Sequence, residues 1–246
     1  MAQLNFWNKF YLHGSKIVLL LLVLGINFQN SYAQNNGKTK NLANHDDQTL
    51  HFGFYLALNS NSYRVVQSDY FVQLKDTLRS ISAPWTGGAN VGFVVNLRLA
   101  EYMDLRALPG FTFTQRSLDY VFNTVGQEST VTQIFENTYV ELPFCLKMKS
   151  ARRGNHRMYI LAGGKMSIAT NIKKKNVLPD NVRLVNYGYA FEYGVGIDIY
   201  NQMFKLAPEI RISHGLNNMA VADQFVYSKA IDKLFMHTVT LVFNFE

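Results

Sequence analysis

From Thr49 to Glu246 apolar residues return at every second position in one segment after another, and no stretch offers the helical spacing of three and four. Period two puts alternate residues on opposite faces of a β-strand. In Phe204 to Ser213, Phe204, Leu206, Pro208, Ile210 and Ile212 share one parity, and Lys205, Ala207, Glu209, Arg211 and Ser213 share the other. Strands of this kind leave a continuous apolar face, and no amphipathic helix is available to cover it. The sheet must close around that face or turn it toward lipid.

Eight segments carry the pattern. They are Thr49 to Asn59, Ala89 to Leu99, Met103 to Arg116, Thr138 to Lys149, Met158 to Ile168, Tyr187 to Tyr200, Phe204 to Ser213, and Phe235 to Glu246. Each has roughly the 9–11 residues needed to cross a bilayer at a tilt. Fourteen Tyr and eighteen Phe suit strands and lipid boundaries better than helical cores. The connections alternate in length: short at 100–103, 150–157 and 201–202, long at 60–88, 117–137, 169–186 and 215–234. Short turns at one end and long loops at the other characterise outer-membrane barrels. Pro208 has no amide donor for the ladder, so a local bulge is expected there.

A lipocalin-like barrel would bury the apolar parity, and a membrane barrel would bury the polar one. The polar faces hold many glycines and both signs of charge. Arg98, Arg106, Lys147, Lys165, Lys205 and Arg211 stand against Asp104, Glu141, Glu192, Asp198 and Glu209. Small residues suit a crowded lumen, and opposite charges neutralise one another there, whereas isolated buried charges are costly. We therefore read an all-β protein: an eight-stranded antiparallel transmembrane β-barrel with short periplasmic turns and long extracellular loops. Its lumenal charges are expected to be a structural pairing network. Eight strands leave an interior that side chains fill, so a wide channel is not expected.

Residues 1–33 read as a signal peptide, with positive Lys9 and Lys16, an apolar run from Ile17 to Phe28, and small residues Ser31 and Ala33 at a cleavage site. Residues 34–48 read as a flexible periplasmic lead-in, and 49–246 as the barrel. Beyond the leader there is no apolar run of the ~18 residues a membrane helix needs. Cys145 is the only cysteine, so no internal disulfide forms. The net charge of +7 is compatible with nucleic acid, with anionic lipid or with no specific partner.

Motifs for chemistry are missing. There is no G-x-S-x-G elbow and no H-E-x-x-H, and Gly163-Gly164-Lys165 lacks the upstream glycine of a phosphate loop. His237 lies on the apolar parity near the long-loop end, where lipid-modifying barrels place a histidine and a serine, but no serine or acid is evident beside it. No catalytic residue, metal or cofactor is expected. Two basic clusters are candidates for docking or lipid contact: Arg152, Arg153 and Arg157 at a short turn, and Lys173, Lys174 and Lys175 at the start of a long loop.

The segments YVELPFCLKMKSARRGNHRMYILAGGK (139–165), MFKLAPEIRISHGLNNM (203–219) and YSKAIDKLFMHTVTLVFNFE (227–246) resemble the PorT family of the Bacteroidota. That resemblance implies an outer-membrane barrel associated with type IX protein secretion and, in some members, gliding; it supplies no catalytic residues. Because a filled barrel cannot pass folded cargo, the expectation is an accessory component that docks to a larger translocon or assists its assembly. A general PorT-like barrel with a structural or small-solute role, or a lipid-modifying enzyme, are the alternatives. Expected partners are outer-membrane lipid and lipopolysaccharide, the barrel-assembly machinery, and other type IX components; nucleic acid is not among them.

Overall fold

The computed structural model describes residues 40–73, 77–124, 127–170, 182–221, 223 and 225–246; the leader reading lies outside these. Alternation produces one antiparallel sheet of ten strands: β1 (Leu50–Gln67), β2 (Leu78–Ser82), β3 (Thr86–Ala100), β4 (Met103–Ala107), β5 (Gly110–Thr124), β6 (Gln127–Lys149), β7 (His156–Ala169), β8 (Tyr187–Tyr200), β9 (Lys205–Gly215) and β10 (Ile231–Phe245). The first strand pairs with β10 on one side and β3 on the other, which closes the sheet into a barrel.

Ten strands replace the expected eight for two reasons. Pro109 interrupts the third segment, yet β4 and β5 keep one register against both neighbours: Val95 faces Ala107 and Gly92 faces Gly110, while Phe144 faces Ala107 and Glu141 faces Gly110. Across the break Phe93 N–H donates to the Pro109 carbonyl and Leu108 N–H to the Pro143 carbonyl. The two therefore act as one stave. The other addition, β2, pairs only with the far end of β5 and lies in the loop after β1.

The wall is inverted relative to a water-soluble barrel. Phe52, Phe54, Leu58, Phe93, Met158, Val195 and Ile210 are exposed, while Asp104, Arg106, Lys147, Asp198 and Glu209 are buried. This burial pattern settles which face is greasy and outward. Tight turns close the short end, where Gly154 has φ +61, a left-handed conformation that glycine adopts without steric cost.

At the other end two of the four expected loops, 60–88 and 117–137, are largely strand. The first strand runs on to Gln67, and β5 and β6 stay paired out to Thr124 and Gln127, because Thr, Val, Ile and Tyr continue through that stretch. Beyond the barrel these extensions, a short helix α1 (Asp69–Gln73) and a second, α2 (Val226–Lys229), enclose an apolar cap. Tyr63, Phe71, Leu78, Leu118, Tyr120 and Leu234 are among its buried members.

Pro208 does not produce the expected bulge. Its register with β10 is continuous through Phe243, and the β8–β9 ladder simply omits the pairs between Gly196–Glu209 and Ile199–Leu206 without a shift. The missing amide is accommodated as a gap in one ladder.

Candidate functional site

Inward parity brings the predicted charges into one lumen. Lys149 Nζ lies 2.6 Å from Asp104, which also accepts from Asn96 Nδ2 at 2.9 Å. Asn96 in turn accepts from Arg106 Nε at 3.3 Å. The Arg106 guanidinium reaches Glu209 at 3.3 Å and Glu246 at 2.6 Å, and Lys205 Nζ lies 2.6 Å from the same Glu246. Glu209 also accepts from the Tyr159 hydroxyl at 2.7 Å and from Arg211 Nε. Arg211 continues to Glu192 at 3.1 Å, and Lys165 joins Glu192 at 3.6 Å and Glu141 at 3.3 Å. Separately, Lys147 Nζ sits 2.7 and 2.8 Å from the two oxygens of Asp198.

The cations Arg106, Lys147, Lys149, Lys165, Lys205 and Arg211 equal in number the anions Asp104, Glu141, Glu192, Asp198, Glu209 and Glu246. Interdigitated charges of both signs neutralise this network and fill its part of the lumen, and Arg116 adds one more buried cation held by neutral groups. Above them Arg116 donates to Thr114 at 3.1 Å and to Asn61 and Thr238 at 3.3 Å, between the rings of Tyr63 and Tyr139.

Ten of the eleven predicted lumenal residues meet here; Arg98 does not. It sits half-buried at the short-turn mouth, 2.6 Å from the Asp46 carbonyl and 3.5 Å from the Asp47 carboxylate. Sequence reasoning missed Glu246, Lys149, Asn96 and Tyr159 as members. Parity could have found Glu246, which falls on the inward set of β10 with Thr240 and Asn244.

The short-turn mouth is covered by the segment read as a flexible lead-in. Over 40–48 it packs onto the barrel. Asp46 accepts from the Tyr200 hydroxyl at 2.8 Å and pairs with Arg157 at 3.3 Å and Arg152 at 3.4 Å. Asn41 bonds Asn155 and the Tyr200 carbonyl, each at 3.0 Å, and Arg152 lies 3.7 Å over the Tyr200 ring. Arg152 and Arg157, expected to dock partners, are thus engaged within the chain, because an internal carboxylate lies in reach; Arg153 stays exposed. Lys173, Lys174 and Lys175 lie outside the described residues.

Burial raises the Asp46 pKa, but the Tyr200 hydrogen bond and the charges of Arg157 and Arg152 bring it below the ordinary carboxylate value. Burial, with Lys205 and His51 nearby, lowers that of His45 to about 4, and His45 stacks on His51 at 4.3 Å.

His237 has closer company than the sequence suggested. Ser62 is its cross-strand partner on one side and His214 on the other. The Ser62 hydroxyl, however, donates to the Ala83 carbonyl at 2.8 Å and is turned away from catalytic use. Among the described residues no cluster of three or more His, Cys, Asp or Glu could hold a metal ion.

A closed antiparallel sheet, apolar outside and charged within, defines the class as a membrane β-barrel. Residues 32–221 match the model for the outer membrane protein beta-barrel domain, and the chain belongs to that family. It is a protein of the outer membrane.

No curated protein matches it. Among solved structures it is similar to the N-terminal β-barrel domain of Pseudomonas aeruginosa OprF, at 12% identity and TM-score 0.33, covering 77% of this chain and 96% of that one. It is also similar to the outer membrane protein OprG of the same organism, at 8% identity and TM-score 0.41, covering 80% and 91%. A third is Ail, the attachment invasion locus protein of Yersinia pestis, at 10% identity and TM-score 0.35, covering 80% and 99%.

Proposed function

We propose that this outer-membrane barrel is an accessory component of the type IX protein secretion machinery, needed for cargo to reach the cell surface without being its conduit. The machinery is suggested by the resemblance of residues 139–165, 203–219 and 227–246 to the PorT family. The accessory role rests on one observation, the filled lumen: Arg106, Glu209 and Glu246 bridge it with side chains wholly removed from solvent. A polypeptide has no path between them, so the protein acts through its rims and outer wall, by docking to a translocon or helping one assemble.

We also read it as non-enzymatic, since Ser62 is committed to a backbone carbonyl. A purely structural barrel is the second reading, favoured by the complete pairing of the lumenal carboxylates. Deleting the gene and comparing surface-delivered proteins separates the two. Loss of cargo from the surface, restored by the wild-type gene, supports the secretion role; an unchanged secretome overturns it and leaves the structural reading.

A further inference from the structure

The outer wall carries one polar rung that the lumen does not account for. Ser62 of β1 stands opposite His237 of β10, His237 opposite His214 of β9, and His214 opposite Phe191 of β8. These positions share parity with the exposed Leu58, Val239 and Ile210, one step beyond the apolar belt toward the long-loop end; His214 and His237 are half-buried on that outward face, while Ser62 is buried and bonded to the Ala83 carbonyl. Tyr187, Tyr189, Phe191 and Tyr193, all exposed, continue it along β8. Aromatic girdles of this kind mark the level where lipid tails give way to headgroups.

Polar groups at such a boundary need partners. Tyr193 and His214 find theirs: the Tyr193 hydroxyl lies 3.2 Å from His214 Nε2, and His214 Nδ1 lies 3.0 Å from His237 Nδ1. One proton alone fits between the two Nδ1 atoms. With Tyr193 as the donor to Nε2, His214 donates a hydrogen bond from its Nδ1–H to His237 Nδ1, so the His237 proton sits on Nε2. Among the described residues that nitrogen bonds nothing. On the same face, exposed Arg64 and Lys233 lie further toward the rim, and neither has an ion-pair partner among the described residues.

We propose that His237, Arg64 and Lys233 bind the phosphorylated headgroup of an outer-leaflet lipid. An imidazole donor, a guanidinium fork and an ammonium group match phosphate oxygens in charge and donor geometry. A lipid satisfies the site better than free phosphate, because the belt of Leu58, Val239 and Ile210 directly below receives its acyl chains. The assignment is independent of the secretion reading.

The test uses the full-length mature barrel in detergent, with bound lipid counted by native mass spectrometry after exposure to lipid A with and without its phosphates. Wild-type protein retains the phosphorylated form preferentially. His237→Gln and Arg64→Gln each reduce that retention about ten-fold, the loss expected for one charge-assisted hydrogen bond. A heat-dependent gel shift confirms that each variant is folded. Equal retention of both lipids, or retention unchanged in both variants, overturns the proposal. Displacement of the lipid by equimolar inorganic phosphate overturns the lipid assignment. Stoichiometric uptake of zinc that depends on His214 and His237, with no lipid preference, reassigns the rung to a metal and also overturns it.

Discussion

Asp198→Asn isolates one buried ion pair of the lumen. The side chains of Lys147 and Asp198 are 0% and 1% exposed, and among the described residues no other carboxylate is paired with Lys147. At an effective dielectric constant of about 20, unit charges this close attract by about 6 kcal/mol, while removing each ion from water costs several kcal/mol. The intact pair is therefore near balance, but the substitution leaves an ammonium without its counter-charge. The Tyr159 ring, centred 3.7 Å from Lys147 Nζ, retains up to about 2 kcal/mol of cation–π attraction. We expect a loss of about 3 kcal/mol, the low end of the range for breaking a buried pair. The double replacement Lys147→Met with Asp198→Leu removes both charges and should return to within about 1 kcal/mol of wild type. Reversible guanidinium unfolding in lipid vesicles, followed by circular dichroism, reads both values. A single-variant loss below about 1 kcal/mol, or a double variant no more stable than the single, would refute the pairing argument.

Three further outcomes follow from the geometry. In planar bilayers the folded barrel should give no steady conductance; an ohmic current would show that the lumenal pairing leaves an open path. At Gly196 an added Cβ would lie 2.4 Å from the Tyr159 ring, so Gly196→Ala should cost about 1–3 kcal/mol by crowding, with the loss reduced when Tyr159→Leu is added. For the strap at 40–48, His45 takes up its proton near pH 4 when docked and near 6.5 when released. The released state binds the proton more readily, so docking is complete above about pH 6.5 and weakens as pH falls toward 4; protonation of Asp46, whose docked pKa is also depressed, weakens it further below that window. A nitroxide on Asn44→Cys, in a Cys145→Ser background, should gain mobility across that range; a spectrum unchanged between neutral and acid pH would contradict the assignment.

Alternation made the wall legible. Each strand's parity held, so the sequence alone places Lys205, Glu209 and Arg211 inward and Ile210 outward, because a period of two leaves only one choice of face. What alternation could not supply is the height of a residue along the barrel. Arg98 has the parity of a lumenal residue but stands at the rim, where Asp46 and Asp47 meet it. Cross-chain partners were equally hidden: Ser62 and His237 are far apart in sequence and neighbours only through the β1–β10 register. The strap and cap were missed for a different reason. Residues 40–48 are polar and aperiodic, and what orders them is a set of side-chain bonds to Arg152, Arg157 and Tyr200 that no local pattern encodes. The strands beyond the belt lose their clean alternation because the apolar cap, not lipid, receives their side chains.

Three obstructions of different chemistry are stacked along one axis. The strap at the short-turn mouth is held by polar contacts and charge, so acid should weaken it first. The lumenal pairs lie in a medium where ions are screened far less, and each carboxylate is shared or matched, so losing the strap does not uncover an unpaired charge below it. The apolar cap is held by burial of its own side chains. Releasing the strap therefore exposes Arg152, Arg157 and Tyr200 to the short-turn side without opening a path through the wall. Any change in this protein's activity that accompanies strap release would accordingly act through a newly available basic rim, and not through permeation.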